Sequence, residues 1–196
     1  MRQIPNLETQ RLQIRPFETN DLNVIHAVLD RCFGDGSRAN DANAIAERRT
    51  WLQWASMNPH ELAKLSQPPY GDRAIVLKAT GVLIGGVGLV PCLDAFDQLP
   101  CFGGTPNAPR TTEMGLFWAV DPAHQGKGYA TEAARVLIDF MFREEKLKRI
   151  VATTEYDNFA SQAVMTKLGM RLERNPFPEP PWLQVVGILE RPVTLV

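Results

Sequence analysis

The apolar run Glu113–Val120 is halted by Asp121-Pro122, and Gln125-Gly126-Lys127-Gly128 then leads straight into a helical pattern. From Tyr129 the apolar residues Ala130, Ala133, Ala134, Leu137, Phe140 and Met141 recur at helical spacing, which predicts a helix to about Glu144. A strand, a glycine turn and a helix in direct succession commit the chain to α/β layering, with a helix leaving the end of a sheet strand. The same junction is a candidate binding feature. The first N–H groups of a helix lack partners and carry positive partial charge, so they attract phosphates. Glycine permits close backbone approach and positive φ, and Lys127 adds a point charge. The turn therefore reads as a seat for a diphosphate.

The flanking segments extend this pattern without an internal repeat or a low-complexity stretch. Arg11–Phe17 alternates Leu12 and Ile14 before Pro16 and predicts a first strand. Thr19, Asn20 and Asp21 are N-cap candidates for a helix carrying Leu22, Ile25, Val28 and Leu29 on one stripe. Gly34–Asn43 reads as a loop and Ala44–Trp54 as a second helix, with Pro59 and Pro68-Pro69 as breaks before the next strand. Ala74–Leu77 and Val82–Val90 read as strands joined by a Thr80-Gly81 hairpin turn. Pro91–Thr112 is a long loop rich in Pro and Gly, and its embedded Cys92, Phe96, Cys101 and Phe102 favour a functional over a disordered segment. A strand over Leu147–Thr154, a helix from Asn158 to Gly169, and closing strands over Arg171–Arg174 and Trp182–Glu190 complete the order. That order predicts one α/β domain over residues 1–196, with a mixed sheet and a loop insertion at about 91–112.

Length and charge narrow the function classes. A chain of 196 residues falls within the size of a single core. Its 21 basic and 22 acidic residues leave no basic field to draw in duplex nucleic acid. The cysteines Cys32, Cys92 and Cys101 form no CxxC pair. Free thiols in a reducing compartment are the expectation, with a Cys92–Cys101 bridge as the alternative. Met1–Leu7 lacks the basic start and apolar run of a secretory leader, and no apolar run is long enough to span a bilayer. A cytoplasmic protein off the membrane, without a bound metal, is expected.

Several families exploit a helix end as a phosphate seat, and spacing separates them. The Walker pattern needs four residues between its glycines followed by Gly-Lys-Ser/Thr, which Gly126-Lys127-Gly128 fails. The dinucleotide fingerprint GxGxxG/A needs Gly or Ala where Thr131 stands, although Glu155 at a later strand end mimics its ribose-binding acid. A tight turn with no ligand is the remaining reading of the loop alone.

Three segments together resemble one family. Gln125-Gly126-Lys127-Gly128-Tyr129-Ala130-Thr131-Glu132-Ala133 resembles motif A of the GNAT acetyltransferases, Q/R-x-x-G-x-G/A, with Gln125, Gly128 and Ala130 at its defining positions. Asn158-x-x-Ser161 with Lys167-Leu168-Gly169-Met170 is similar to the N-x-x-S…K-L-G-F segment of the RimJ/RimL branch, the ribosomal-protein-alanine acetyltransferase-like enzymes. The opening Leu7-Glu8-Thr9-Gln10-Arg11-Leu12-Gln13-Ile14-Arg15-Pro16 resembles that branch's L-x-T-x-R-L-x-L-R-P start.

The resemblance implies a GNAT fold, with a mostly antiparallel sheet in which Glu113–Val120 and Leu147–Thr154 splay apart to admit pantetheine. It implies that acetyl-CoA is the co-substrate, that backbone groups of Trp118, Ala119 and Val120 line its arm, and that N–H groups near Trp118 and Val120 supply the oxyanion donors. Gln125, Gly126, Lys127, Gly128, Tyr129, Ala130 and Thr131 are then the pyrophosphate loop, and Asn158 contacts the pantetheine arm. From the residues alone, Asn158 is a helix N-cap. Glu113 is the first candidate for the base and Glu155 the second, while His124 reads as a solvated turn residue. Met165 stands where many relatives carry a tyrosine acid, so Ser161 is the candidate that protonates the leaving thiolate, with Tyr156 as a further option.

The acceptor is expected to be a primary amine, on a peptide N-terminus or a small molecule. An α-amino group has a pKa of about 7.7–8.0 against roughly 10.4 for lysine, and so needs less from a remote base. Trp51, Trp54, Phe96, Phe102 and Trp182 either wall an acceptor cleft or belong to the core. A catalytically silent acyl-CoA-binding module and a nucleotide-binding enzyme remain as alternatives, and a homodimer is left open.

Overall fold

Leu12 and Ile14 are fully buried while Gln13 and Arg15 are not, the period-two signature of a strand with one covered face. The computed structural model describes residues 4–193; residues 1–3, which belong to the stretch read against a leader, and 194–196 lie outside the described residues. The strands are β1 (Leu7–Glu8), β2 (Leu12–Pro16), β3 (Gly71–Leu77), β4 (Leu83–Asp94), β5 (Thr111–Val120), β6 (Arg149–Thr154), β7 (Arg171–Arg174) and β8 (Val185–Glu190). They form an open sheet in the order β1-β2-β3-β4-β5-β6-β8-β7. The β1–β2, β2–β3, β3–β4, β6–β8 and β7–β8 ladders are antiparallel, whereas β5 pairs with β6 in parallel at Gly115↔Val151. The helices are α1 (Leu22–Phe33), α2 (Ala42–Lys64), α3 (Tyr129–Arg143) and α4 (Phe159–Leu168). The class is the expected one: α/β with a mixed, mostly antiparallel sheet. Among the described residues no helix is long and apolar enough to cross a membrane.

The chain divides into two compact units, Met1–Leu89 with Phe117–Leu137, and Val90–Leu116 with Ile138–Val196. In the first, Ile25, Val28 and Leu29 of α1 and Leu52 and Ala55 of α2 pack against Ala74, Val76, Leu83 and Ala119. The stripe read on α1 is therefore its buried face. In the second, Phe96 and Leu99 pack with Val151, Leu183, Val186 and Ile188.

The sequence pattern does not predict strand β1, and β8 begins at Val185 rather than Trp182, but two elements depart further from expectation. Helix α2 begins at Ala42 because the Asp41 carboxylate accepts from the N–H groups of Asn43 and Ala44, at 2.8 and 3.3 Å. It then runs past Trp54 and through Pro59 to Lys64. An internal proline costs a helix about 3 kcal/mol, so tertiary burial must outweigh it. Ala44, Leu52, Ala55, Asn58 and Leu62 supply that buried stripe, and Asn58 Nδ2 donates to the Tyr70 carbonyl at 3.0 Å. The segment 91–112 is also more ordered than a loop. Strand β4 continues to Asp94, and two 3₁₀ turns follow, Phe96–Gln98 and Pro100–Phe102. Fully buried Phe96 and Leu99 make the segment core in its unit. Cys32, Cys92 and Cys101 are all free, so no bridge closes it.

Candidate functional site

In the first unit the glycine turn is built on the end of β5. The Asp121 N–H donates to the Ile84 carbonyl at 2.8 Å, and Asp121 Oδ1 accepts from the Ala123 N–H at 3.0 Å. Arg31 of α1 holds the other Asp121 oxygen. Burial pushes the Asp121 carboxyl up, but Arg31 and the Ala123 N–H outweigh it and leave it below the ordinary value. Gln125 Nε2 donates back to the Val120 carbonyl at 2.8 Å, and the Cys32 thiol, itself pushed up by burial, bonds the same oxygen at 3.3 Å. Gln125 thus tethers the loop to its strand. Lys127 Nζ lies 3.1 Å from the Ala123 carbonyl.

Gly126 and Gly128 have φ of +73° and +82°, conformations that other residues adopt only with strain. Both are exposed, as are Gln125 and Lys127. The Glu132 N–H closes the first helical turn on the Gly128 carbonyl at 3.0 Å. The N–H groups preceding it stand at an exposed helix start, where an anion is attracted. Trp118 is half-buried, and Ala119 and Val120 are buried.

Glu113, Glu155, Tyr156, Asn158, Ser161 and Met165 lie in the second unit. Both Glu113 oxygens are held by the guanidinium of Arg149, one of them at 3.0 Å from Nε, and Arg149 also reaches Glu190 at 3.0 Å. The Arg149 guanidinium stacks 4.3 Å from the centre of the Phe102 ring. Glu113 and Arg149 line a groove with Thr112, Met114 and Lys148. Arg149 therefore engages both oxygens of the carboxylate expected to act as base.

Asn158 caps α4 as its residue type predicted, its Oδ1 accepting from the Ser161 N–H at 3.1 Å. Ser161 is half-buried in that first turn. Glu155 is exposed. Hydrogen bonding to its own backbone N–H, then to Asn158 and Thr154, outweighs desolvation and keeps its carboxyl below the ordinary value. The Tyr156 hydroxyl donates to the Asn175 carbonyl at 2.7 Å. Met165 is fully buried and offers no proton. Of the aromatics read as a wall or as core, Phe96 is core, Trp51 packs edge-on to Phe17, and Trp182 donates to Asp94 at 2.9 Å.

Residues 11–171 match the acetyltransferase (GNAT) domain, a span that contains the glycine turn and the Asn158–Gly169 segment. The chain belongs to the GNAT acetyltransferase family. Membership makes this domain an acetyl-CoA-dependent N-acetyltransferase. YkkB of Bacillus subtilis (strain 168) is 25% identical over 187 residues, 94% of each chain. The N-acetyltransferase YnaD of the same organism is 46% identical over 64 residues, 33% of this chain and 36% of that protein. A solved acetyltransferase from Agrobacterium tumefaciens str. C58 superposes with a TM-score of 0.66 at 25% identity, covering 95% of each chain. RimL, a ribosomal L7/L12 α-N-protein acetyltransferase solved with coenzyme A, gives a TM-score of 0.63 over 98% of this chain and 100% of that one. At 14% identity it shares the fold.

Other residues shape this turn and its strand, although the sequence reading gave them no separate role at the site. A Cβ on Gly85 would lie 2.1 Å from the Ala119 carbonyl oxygen, so only glycine lets β4 and β5 approach here. The Gly85-Gly86 pair inside a strand was the available signal, since interior strand glycines mark bulges or close approach. Thr9, Arg11 and Glu132 form a second such group. The Arg11 Nη1 donates to the Lys127 carbonyl at 3.0 Å and its Nε to Glu132 at 2.7 Å.

Proposed function

We propose that this acetyltransferase passes the acetyl group of acetyl-CoA to a primary amine, an N-terminal α-amino group or a small-molecule amine, by direct attack in a ternary complex. The observation that carries the donor half is the exposed turn with positive φ at Gly126 and Gly128, opening onto α3. Its residues fit a diphosphate: no side chain projects from either glycine, and the helix start presents N–H groups. Gln125 to Thr131 would hold the pyrophosphate. Trp118, Ala119 and Val120 would line the pantetheine arm, and the backbone N–H groups near Trp118 and Val120 would stabilise the oxyanion. Asn158 would meet the arm with its amide nitrogen, since its oxygen already caps α4.

The reaction asks for orientation, one proton taken from the amine and one given to the thiolate. Ser161 is the proposed donor to sulfur, because Met165 cannot serve and the Tyr156 hydroxyl already donates to the Asn175 carbonyl. The clamp on Glu113 favours an acceptor that needs little help to lose its proton. An α-amino group near pKa 7.7–8.0 meets that condition, whereas lysine at about 10.4 does not. The Leu7–Pro16 and Asn158–Met170 motifs likewise support the RimJ/RimL branch. The free thiols fit a cytoplasmic setting.

A silent acyl-CoA-binding module is the second reading, favoured by Met165 and by the engaged Glu113. A thiol-release assay over peptide N-termini, small amines and lysine peptides separates the two. Turnover on α-amino or small amines supports transfer, and CoA binding with no turnover on any acceptor supports the module. Gly128→Val tests the loop itself: calorimetry is expected to show CoA binding lost while circular dichroism stays native. Unchanged affinity would remove the loop from the site.

A further inference from the structure

The pyrophosphate reading raises an electrostatic difficulty at the start of α3. Glu132 lies in the first turn of the helix, where a carboxylate favours the helix dipole but repels a second anion at the same end. A coenzyme diphosphate on the N–H groups of residues 126–131 would meet that charge within a few ångströms. The segment before β2 answers it. The Arg11 backbone N–H and side-chain Nε both donate to Glu132, at 3.2 and 2.7 Å, and Arg11 Nη2 pairs with the same carboxylate. The Thr9 hydroxyl donates to Glu132 Oε1 and accepts the N–H of Leu12 at 2.9 Å. Burial pushes the Glu132 carboxyl up, but these donors outweigh it and hold it ionised below its usual range.

Arg11 does a second thing. Its Nη1 grips the Lys127 carbonyl at 3.0 Å, and its guanidinium lies 4.5 Å from the centre of the Tyr129 ring. A Cβ on Gly128 would sit 3.6 Å from Nη2, so the cation lies against the glycine turn itself. One arginine from the chain's opening segment thus touches the carbonyl of one loop residue, the ring of another and the acid of the first helical turn. All of these residues belong to the first compact unit.

We propose that Arg11, fixed with Thr9 on Glu132, is a positioning residue that cancels the Glu132 charge and holds the 126–129 turn open toward the coenzyme diphosphate. This rests on the acyl-CoA reading of the turn. Arg11 is not a phosphate ligand in this arrangement: three of its contacts are spent on Glu132 and Lys127. It is the counter-charge that lets an anion share a helix end with a glutamate.

The diphosphate makes the role measurable. Coenzyme A and pantetheine share the arm and differ in the phosphates. Arg11→Met keeps the aliphatic stem of a side chain that is 43% exposed, so the fold should survive. Calorimetric titration is expected to show CoA affinity falling about tenfold in Arg11→Met, with pantetheine affinity nearly unchanged. Adding Glu132→Gln to Arg11→Met removes the orphaned charge and should restore most of the loss. The salt dependence of CoA binding should differ between Arg11→Met and the double variant, because only the first leaves Glu132 uncompensated.

Equal loss for CoA and pantetheine would show a purely structural arginine and overturn the proposal. So would a loss that Glu132→Gln does not rescue, or a CoA affinity that Arg11→Met leaves intact. If the unaltered protein binds no CoA, the acyl-CoA reading fails first and this one with it. If it binds CoA and Arg11→Met is indifferent, only the Arg11 assignment falls.

Discussion

Glu113 shows how a residue's identity and its surroundings can point in different directions. Its place on the strand that leads into the glycine turn makes it the first candidate for the base. The structure surrounds it with Arg149 on both oxygens, and Arg149 is in turn fixed by Glu190 and the Phe102 ring. The side chains of the pair are only 13% and 18% exposed, so water screens them weakly. Those hydrogen bonds also hold the Arg149 guanidinium protonated well above its ordinary value. Glu113→Gln is therefore expected to destabilise the fold by about 1–2 kcal/mol, the range of a charge-assisted hydrogen bond partly replaced by a neutral one. The transfer rate at saturating substrates should change by less than about threefold if the residue has no chemical task. Urea midpoints and steady-state rates on one variant separate the outcomes. A rate that collapses with stability intact would restore Glu113 as the base. The sequence displayed the glutamate but not its partner, because Arg149 lies 36 positions away and meets it only through adjacent strands.

At the scale of elements, most of the architecture was legible where local chemistry dominates. The stripe on α1, the hairpin at Thr80-Gly81, the start of α3 at Tyr129 and the Asn158 cap with Gly169 at the end of α4 all stand as their residues predict. Legibility failed where tertiary burial overrode local signals. Pro59 reads as a breaker, yet Leu52, Ala55, Asn58 and Leu62 carry α2 through it. The glycines and prolines of 91–112 read as open loop, yet Phe96 and Leu99 bury the segment. Gly85 belongs to the same class, because a strand glycine is silent until its neighbour is known. A methyl group at Gly85 would stand only 2.1 Å from the Ala119 carbonyl oxygen, so Gly85→Ala must push β5 away at the residues read as the pantetheine edge. The cost expected is about 1–3 kcal/mol of stability, the usual range for overpacking. CoA affinity should fall with it, while Gly81→Ala, whose added methyl meets nothing within 4 Å, serves as a turn-strain control that spares CoA binding. Equal CoA affinity in Gly85→Ala and the unaltered chain would show that the β4–β5 approach does not shape the site.

Across the whole molecule, three of the lowered carboxyls are bound to arginines outside their own segment. Asp21 with Arg15, Asp121 with Arg31 and Glu132 with Arg11 each tie one element to another, and their side chains are 10%, 12% and 20% exposed. For all three, desolvation raises the carboxyl and hydrogen bonds and charge from the arginine more than reverse it, so each folded pKa lies below its unfolded one. An acid lowered in this way adds stability above its unfolded pKa, near 3.9 for Asp and 4.3 for Glu, and loses it as pH falls through the folded value. Asp72 opposes them: burial raises its carboxyl, so ionising it costs stability that protonation gives back. Among the described residues six lowered carboxyls, with Asp35, Asp41 and Glu155 beside these three, stand against the one raised carboxyl and fix the sign. Stability should be level from about pH 8 to pH 5 and then fall by about 1–3 kcal/mol toward pH 3, as urea midpoints measured across that range would show. Arg11→Met should remove the Glu132 share of that fall, flattening the acid limb while lowering the neutral plateau. A plateau that drops with the acid limb unchanged would mean that Glu132 keeps its lowered pKa through Thr9 alone, and that the arginine contributes packing rather than charge.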